Sequence, residues 1–121
     1  MSTVVAKFGG TSVATPDRIM KVAQRIVNRK RAGDRVVAVV SAMGKTTDDL
    51  VALASSITDS PDPREMDTLL STGEMVSMSL LAMAVSALGE EPISLSGRQI
   101  GLLTDSVHGK ASIREIHADR I

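Results

Sequence analysis

Two short apolar runs, Thr3 to Phe8 and Val36 to Val40, flank a segment patterned as a helix, and this arrangement restricts the fold more than any other feature. Both runs are continuous and β-branched, as in strands covered on both faces. Between them, Thr15 is a candidate N-cap, Pro16 suits the first helical position, and Asp17 favours the positive end of the helix dipole. Ile19, Val22, Ala23 and Ile26 recur at helical spacing. Arg29, Lys30 and Arg31 complement the last turn as solvated surface, and Gly33 stops the helix. A strand–helix–strand connection this short is a βαβ unit, with parallel strands and a right-handed crossover.

The first strand runs straight into Lys7-Phe8-Gly9-Gly10-Thr11-Ser12. Paired glycines let backbone N–H groups approach a ligand closely, and successive N–H groups at a helix start attract anions. Lys7 adds a mobile positive charge, so phosphate is the natural guest. The plainer reading is that Gly9 and Gly10 only turn a strand into a helix. The residues themselves leave both open.

Composition removes several classes of function. The 121 residues suit one domain or part of a larger one. Fourteen basic and 14 acidic residues balance, and Phe8 is the one aromatic, which argues against a nucleic-acid partner. There is no Cys, which excludes disulfides and thiolate metal sites and is compatible with a reducing compartment. His108 and His117 are too few for a typical zinc site and read as structural or surface residues. The N-terminus lacks the pattern of a signal peptide, so a cytoplasmic location is expected. The longest apolar stretch, Met75 to Leu88, is interrupted by Ser77, Ser79 and Ser86. It falls short of the roughly 20 residues of a membrane span and reads as a buried core helix.

Further along, Ser41-Ala42-Met43-Gly44 turns the chain into a helix expected from Thr47 to Ile57, and Ser60 to Pro63 is a loop. A helix from Arg64 to Leu70, a junction at Ser71 to Glu74 and a Met-rich helix ending at Gly89 follow. Strands are expected at Ile93 to Leu95 and Ala111 to Ile116. The alternation predicts an α/β protein, a three-layer sandwich with a mainly parallel sheet. Ligands in such sheets bind beyond the carboxyl ends of the strands. The turns at Gly9-Gly10, Ser41 to Gly44 and Ser96-Gly97 all follow predicted strands and should share that edge.

Individual motifs are weak. Gly44-Lys45-Thr46 fails as a Walker A motif, because the required earlier glycine is Val39. The dinucleotide spacing is absent as well. For Thr46-Thr47-Asp48, helix capping is the preferred reading and presentation of hydroxyls to a ligand the alternative. Ser71-Thr72-Gly73-Glu74 matches a capping box, yet Gly73 is a costly residue in a helix start. Close approach of a ligand or of backbone would explain it, and a buried Glu74 could then receive an ammonium group.

Four strings together resemble the aspartokinases of the amino-acid kinase superfamily. They are Lys7 to Ser12, Val40 to Asp48, Leu70 to Glu74 and Ser96 to Asp105, in that order, and the resemblance runs from residue 2 to residue 121. It implies phosphoryl transfer from MgATP to the side-chain carboxylate of L-aspartate, the first step toward lysine, threonine and methionine. The resemblance assigns Lys7 to the transferring phosphoryl, Phe8, Gly9, Gly10, Thr11 and Ser12 to the ATP phosphates, and Ser41, Thr47 and Glu74 to the amino acid, with Mg2+ held mainly by the phosphates. Ser96 stands where Thr is usual, and Ile100 where Ala is common. Residues 1–121 would be the N-terminal part of the kinase domain, without the nucleotide lobe or ACT regulatory domains, inactive alone, and part of a homo-oligomer or self-associating. The alternatives are another member of the superfamily, such as a glutamate-, acetylglutamate- or uridylate-type kinase, or a non-catalytic fragment that pairs with a partner chain.

Overall fold

The computed structural model describes residues 1–121, and its first forty residues form the expected βαβ unit. Strand β1 (Thr3–Phe8) leads through a 3-10 turn (Gly10–Val13) into helix α1 (Pro16–Arg31), and β2 (Arg35–Val40) returns parallel to β1. The register pairs Thr3 with Arg35 and Phe8 with Val40. Helix α1 starts where its sequence says. The Thr15 hydroxyl accepts from the Arg18 N–H at 3.3 Å, Pro16 occupies the first turn, and the three basic residues close the last. Gly33, at φ +107°, ends the helix in a conformation that disfavours other residues.

Helix α2 spans Thr46–Ser55 and α3 spans Pro63–Ala87. Asp62 caps α3 by accepting from the N–H groups of Arg64 and Glu65 at 2.9 and 3.2 Å. The expected junction at Ser71 to Glu74 does not form, because α3 is continuous. Ser71 and Thr72 donate their hydroxyls to the carbonyls of Thr68 and Leu69, one turn back, so neither competes with the helix. There is accordingly no capping box. With 25 residues, α3 is long and apolar enough to cross a membrane by length and composition, yet it packs on α1 and α2. The expectation of a buried core helix holds for one face of it: Leu81, Ala84 and Val85 lie in the core, while Val76, Leu80 and Met83 are exposed.

The core joins Phe8, Val13 and the inner face of α1 to Leu81, Ala84 and Val85. Side chains alternate along a strand. Ala6 and Phe8 therefore face the helices, while Val5 and Val39 lie on the opposite face, 68% and 46% exposed. These residues thus supply two layers of the α/β sandwich, with the far side of the sheet uncovered. The accessible surface is 8378 Å², where a compact monomer of this mass would show roughly 6,200 Å².

In the last thirty or so residues the strand expected at Ala111 to Ile116 forms over Ile113 to Ile116, while the other expected strand does not. Ile93 to Leu95 form no strand. A strand requires a partner, and β3 (Leu102–Thr104) pairs instead with β4 (Ile113–Ile116) in a separate antiparallel hairpin. Asp105 shapes its loop by accepting from the N–H groups of Val107 and Ser112.

Candidate functional site

Two turns meet at the carboxyl ends of β1 and β2. The Ser41 N–H donates to the Phe8 carbonyl at 3.1 Å, and the Gly44 N–H to the Gly10 carbonyl at 2.9 Å. Within the first turn the Ser12 N–H donates to the Gly9 carbonyl at 3.0 Å. The N–H groups of Gly9, Gly10 and Thr11 make no hydrogen bond within the chain. Three successive backbone donors are thus left free for a ligand rich in acceptor oxygens.

The two glycines of this turn exist for different reasons. A Cβ on Gly10 would lie 2.8 Å from the Ala42 carbonyl oxygen and 3.3 Å from that of Gly44, so the meeting of the two turns requires glycine there. Gly9 has φ −74° and ψ 172°, which any residue adopts, and a Cβ on it would meet nothing within 4 Å. Turning the chain does not require glycine at this position. The open space beside it is what close approach of a ligand would use. Lys7, next to the end of β1, is exposed and forms no ion pair.

The second half of the site grows from one packing contact. Gly73 lies where a Cβ would come within 2.9 Å of the Ala42 Cβ and 3.4 Å of the Thr46 methyl. Gly73 therefore lets α3 close onto the β2–α2 turn, which accounts for a glycine inside a helix. Ser41 precedes Ala42, Thr47 follows Thr46, and Glu74 follows Gly73, so all three candidate amino-acid ligands adjoin this contact. Ser77, fully buried, fastens it by donating its hydroxyl to the Ser41 carbonyl at 2.6 Å.

Two expectations are corrected here. Glu74 is exposed rather than buried, and it neither caps a helix nor pairs with a cation. Thr46 and Thr47 do not cap α2 either, because Lys45 holds the N-cap position without a side-chain bond. The hydroxyl of Thr47 is left free. The third turn, Ser96 to Gly101, follows no strand of the main sheet and is closed by its own bonds between Ser96 and Gln99. Of the three turns expected at one edge, two are joined there. No three Asp, Glu, His or Cys side chains converge as a metal site would require. His108 sits 3.3 Å from Asp67 and His117 3.0 Å from Glu115, as surface residues.

Sequence reasoning missed Ser77, Arg18 and Asp67. A serine within an apolar run signals a buried polar group in need of a partner, which would have identified Ser77. The Arg18 guanidinium donates to the Thr11 carbonyl at 2.7 Å, and no spacing rule announces that contact.

A parallel βαβ unit whose strand-end turns meet, with three free N–H groups in one of them, defines an α/β protein with its candidate site beyond the carboxyl ends of the strands. The amino acid kinase family profile matches residues 2–121, and the chain belongs to that family. It is 50% identical over its full length to an aspartokinase from Mycolicibacterium smegmatis and 52% identical to one from Geobacillus stearothermophilus. It spans 29% and 30% of the length of those relatives. The crystal structure of aspartate kinase from Synechocystis superposes with a TM-score of 0.78 at 56% identity, covering 80% of this chain and 17% of that one.

Proposed function

We propose that these residues form the N-terminal lobe of an aspartokinase, which transfers the terminal phosphoryl group of ATP to the side-chain carboxylate of L-aspartate. The observation that carries this reading is the double role of Ala42. Its carbonyl abuts Gly10 in the anion-binding turn, and its methyl abuts Gly73 beside Glu74. One buried residue thus sets the distance between a phosphate cradle and an amino-acid pocket. Phosphoryl transfer depends mostly on such positioning and on charge neutralisation.

In this reading the N–H groups of Gly9, Gly10 and Thr11 hold the ATP phosphates, with Phe8 and Ser12 completing the turn. Lys7 neutralises charge on the transferring group. Ser41 and Thr47 offer hydroxyls to the amino acid, and the unpaired Glu74 carboxylate receives its ammonium. A carboxylate oxygen of aspartate attacks phosphorus as the bond to the leaving ADP breaks. The nucleophile is already ionised, so no general base is needed. Mg2+ would be carried mainly by the phosphates and would neutralise their charge. In this reading the remaining nucleotide contacts and the regulatory domains would lie in the part of the relatives that this chain does not match. The uncovered sheet face and the exposed α3 residues support assembly with further protein, in a homo-oligomer or by self-association, and the enzyme would work in the cytoplasm.

The test is steady-state kinetics of the intact kinase. Lys7→Ala should lower kcat far more than it weakens ATP binding, since the lysine acts on the transition state. Glu74→Gln should raise KM for aspartate about tenfold, or about 1.4 kcal/mol, and spare KM for ATP. A Lys7→Ala enzyme with kcat within threefold of wild type would refute the assignment.

A further inference from the structure

We infer that Arg18 is a positioning residue for the phosphate-binding turn, an inference that rests on the phosphoryl-transfer reading above. The argument follows the peptide planes. Each peptide unit is flat, with its C=O and the following N–H pointing in opposite directions, so anchoring a carbonyl aims the next N–H. The Phe8 carbonyl is held by Ser41, which aims the Gly9 N–H outward. The Gly10 carbonyl is held by Gly44, which aims the Thr11 N–H. The Gly9 carbonyl, which aims the Gly10 N–H, is held by the N–H of Ser12.

That last anchor lies in the Thr11–Ser12 peptide, so it is only as firm as the Thr11 carbonyl. The backbone offers this carbonyl one bond, from the Ala14 N–H at 3.4 Å, at the long limit of hydrogen bonding. The Arg18 guanidinium supplies the firm one at 2.7 Å. Arg18 is itself fixed in the capped first turn of α1 through its N–H bond to Thr15. It is the one side chain among the anchors of the turn. Removing it should loosen the Ser12 N–H, then the Gly9 carbonyl, and so the Gly10 donor that faces the phosphate. Arg18 acts from behind the turn, through the peptide that it holds.

Two measurements test this. In the 121-residue chain, Arg18→Met should speed hydrogen exchange at the Ser12 amide at least about fivefold and leave Ala23 in mid-α1 unchanged. Unchanged exchange at Ser12 would overturn the inference. In the intact kinase, Arg18→Met should lower kcat/KM for ATP by about tenfold to a hundredfold, with KM for aspartate within about twofold of wild type. Arg18→Lys, which retains a cationic donor, should recover most of the loss. Equal losses for both substrates, together with a lower melting temperature, would mean a purely structural role and overturn the inference. Lys7→Ala measured alongside separates the two claims. If it is crippled while Arg18→Met is normal, the inference fails alone, and if neither is affected, the phosphoryl-transfer reading fails with it.

Discussion

Gly9 and Gly10 are chain neighbours, and the structure predicts that alanine at each will have opposite effects. At Gly10 the added methyl would sit 2.8 Å from the Ala42 carbonyl oxygen and 3.3 Å from the Gly44 carbonyl oxygen. Both are backbone atoms and cannot turn aside. Overpacking of this kind costs typically about 1–3 kcal/mol, which exceeds the gain of about 0.4–1 kcal/mol from a stiffer unfolded chain. Gly10→Ala should therefore be destabilised by about 1–2 kcal/mol, and the Gly44 N–H bond to its carbonyl should weaken. At Gly9 the methyl meets nothing within 4 Å and the backbone is unstrained, so only the unfolded-state gain applies. Gly9→Ala should match or exceed wild-type stability by up to about 1 kcal/mol. In the phosphate reading proposed above, its methyl would take up space left open for the ligand, so the intact kinase should lose at least about tenfold in kcat/KM for ATP. Thermal unfolding reads the first pair of effects and steady-state kinetics the last. A Gly9→Ala enzyme that keeps wild-type ATP kinetics would refute the phosphate assignment. A Gly10→Ala protein as stable as wild type would refute the packing argument.

Two further outcomes follow from the uncovered surfaces and the hairpin. Every hydrogen bond that joins residues 92–121 to the rest of the chain ends on the Asp67 carboxylate, from the Gly109 N–H at 3.0 and 3.1 Å and from His108. Asp67→Ala should therefore free the β3–β4 hairpin, seen as faster amide exchange at Gly109, and leave α3 protected at Leu81. Faster exchange spread evenly over the chain would show instead that the hairpin is integral to the fold. The 121-residue chain alone should show no aspartate-dependent ADP release and should self-associate at micromolar concentration, because Val5, Val39 and Met83 stay exposed. A monomer by light scattering, or measurable turnover, would contradict the respective half of that statement.

What was legible in the sequence was what local chemistry decides. Thr15, Pro16 and the basic last turn fix α1, and the continuous β-branched run Val36 to Val40 suits a strand, so the βαβ unit could be read directly. The α/β class follows from that unit. The errors share one physical cause: each concerned a residue whose role is set by a neighbour distant in sequence. Gly73 and the hydroxyls around it imitate a helix start, and only the approach of Ala42 explains why a glycine sits inside a continuous helix. Ile93 to Leu95 have strand character but no partner, whereas Leu102 to Thr104 obtain one from β4. The same distinction sorts the site. The turn at Gly9 and Gly10 is local and was visible as a candidate, yet the sequence could not decide between turning and binding. The structure separates the two glycines: Ala42 explains Gly10, whereas nothing within the chain requires glycine at position 9, which supports the phosphate reading proposed above.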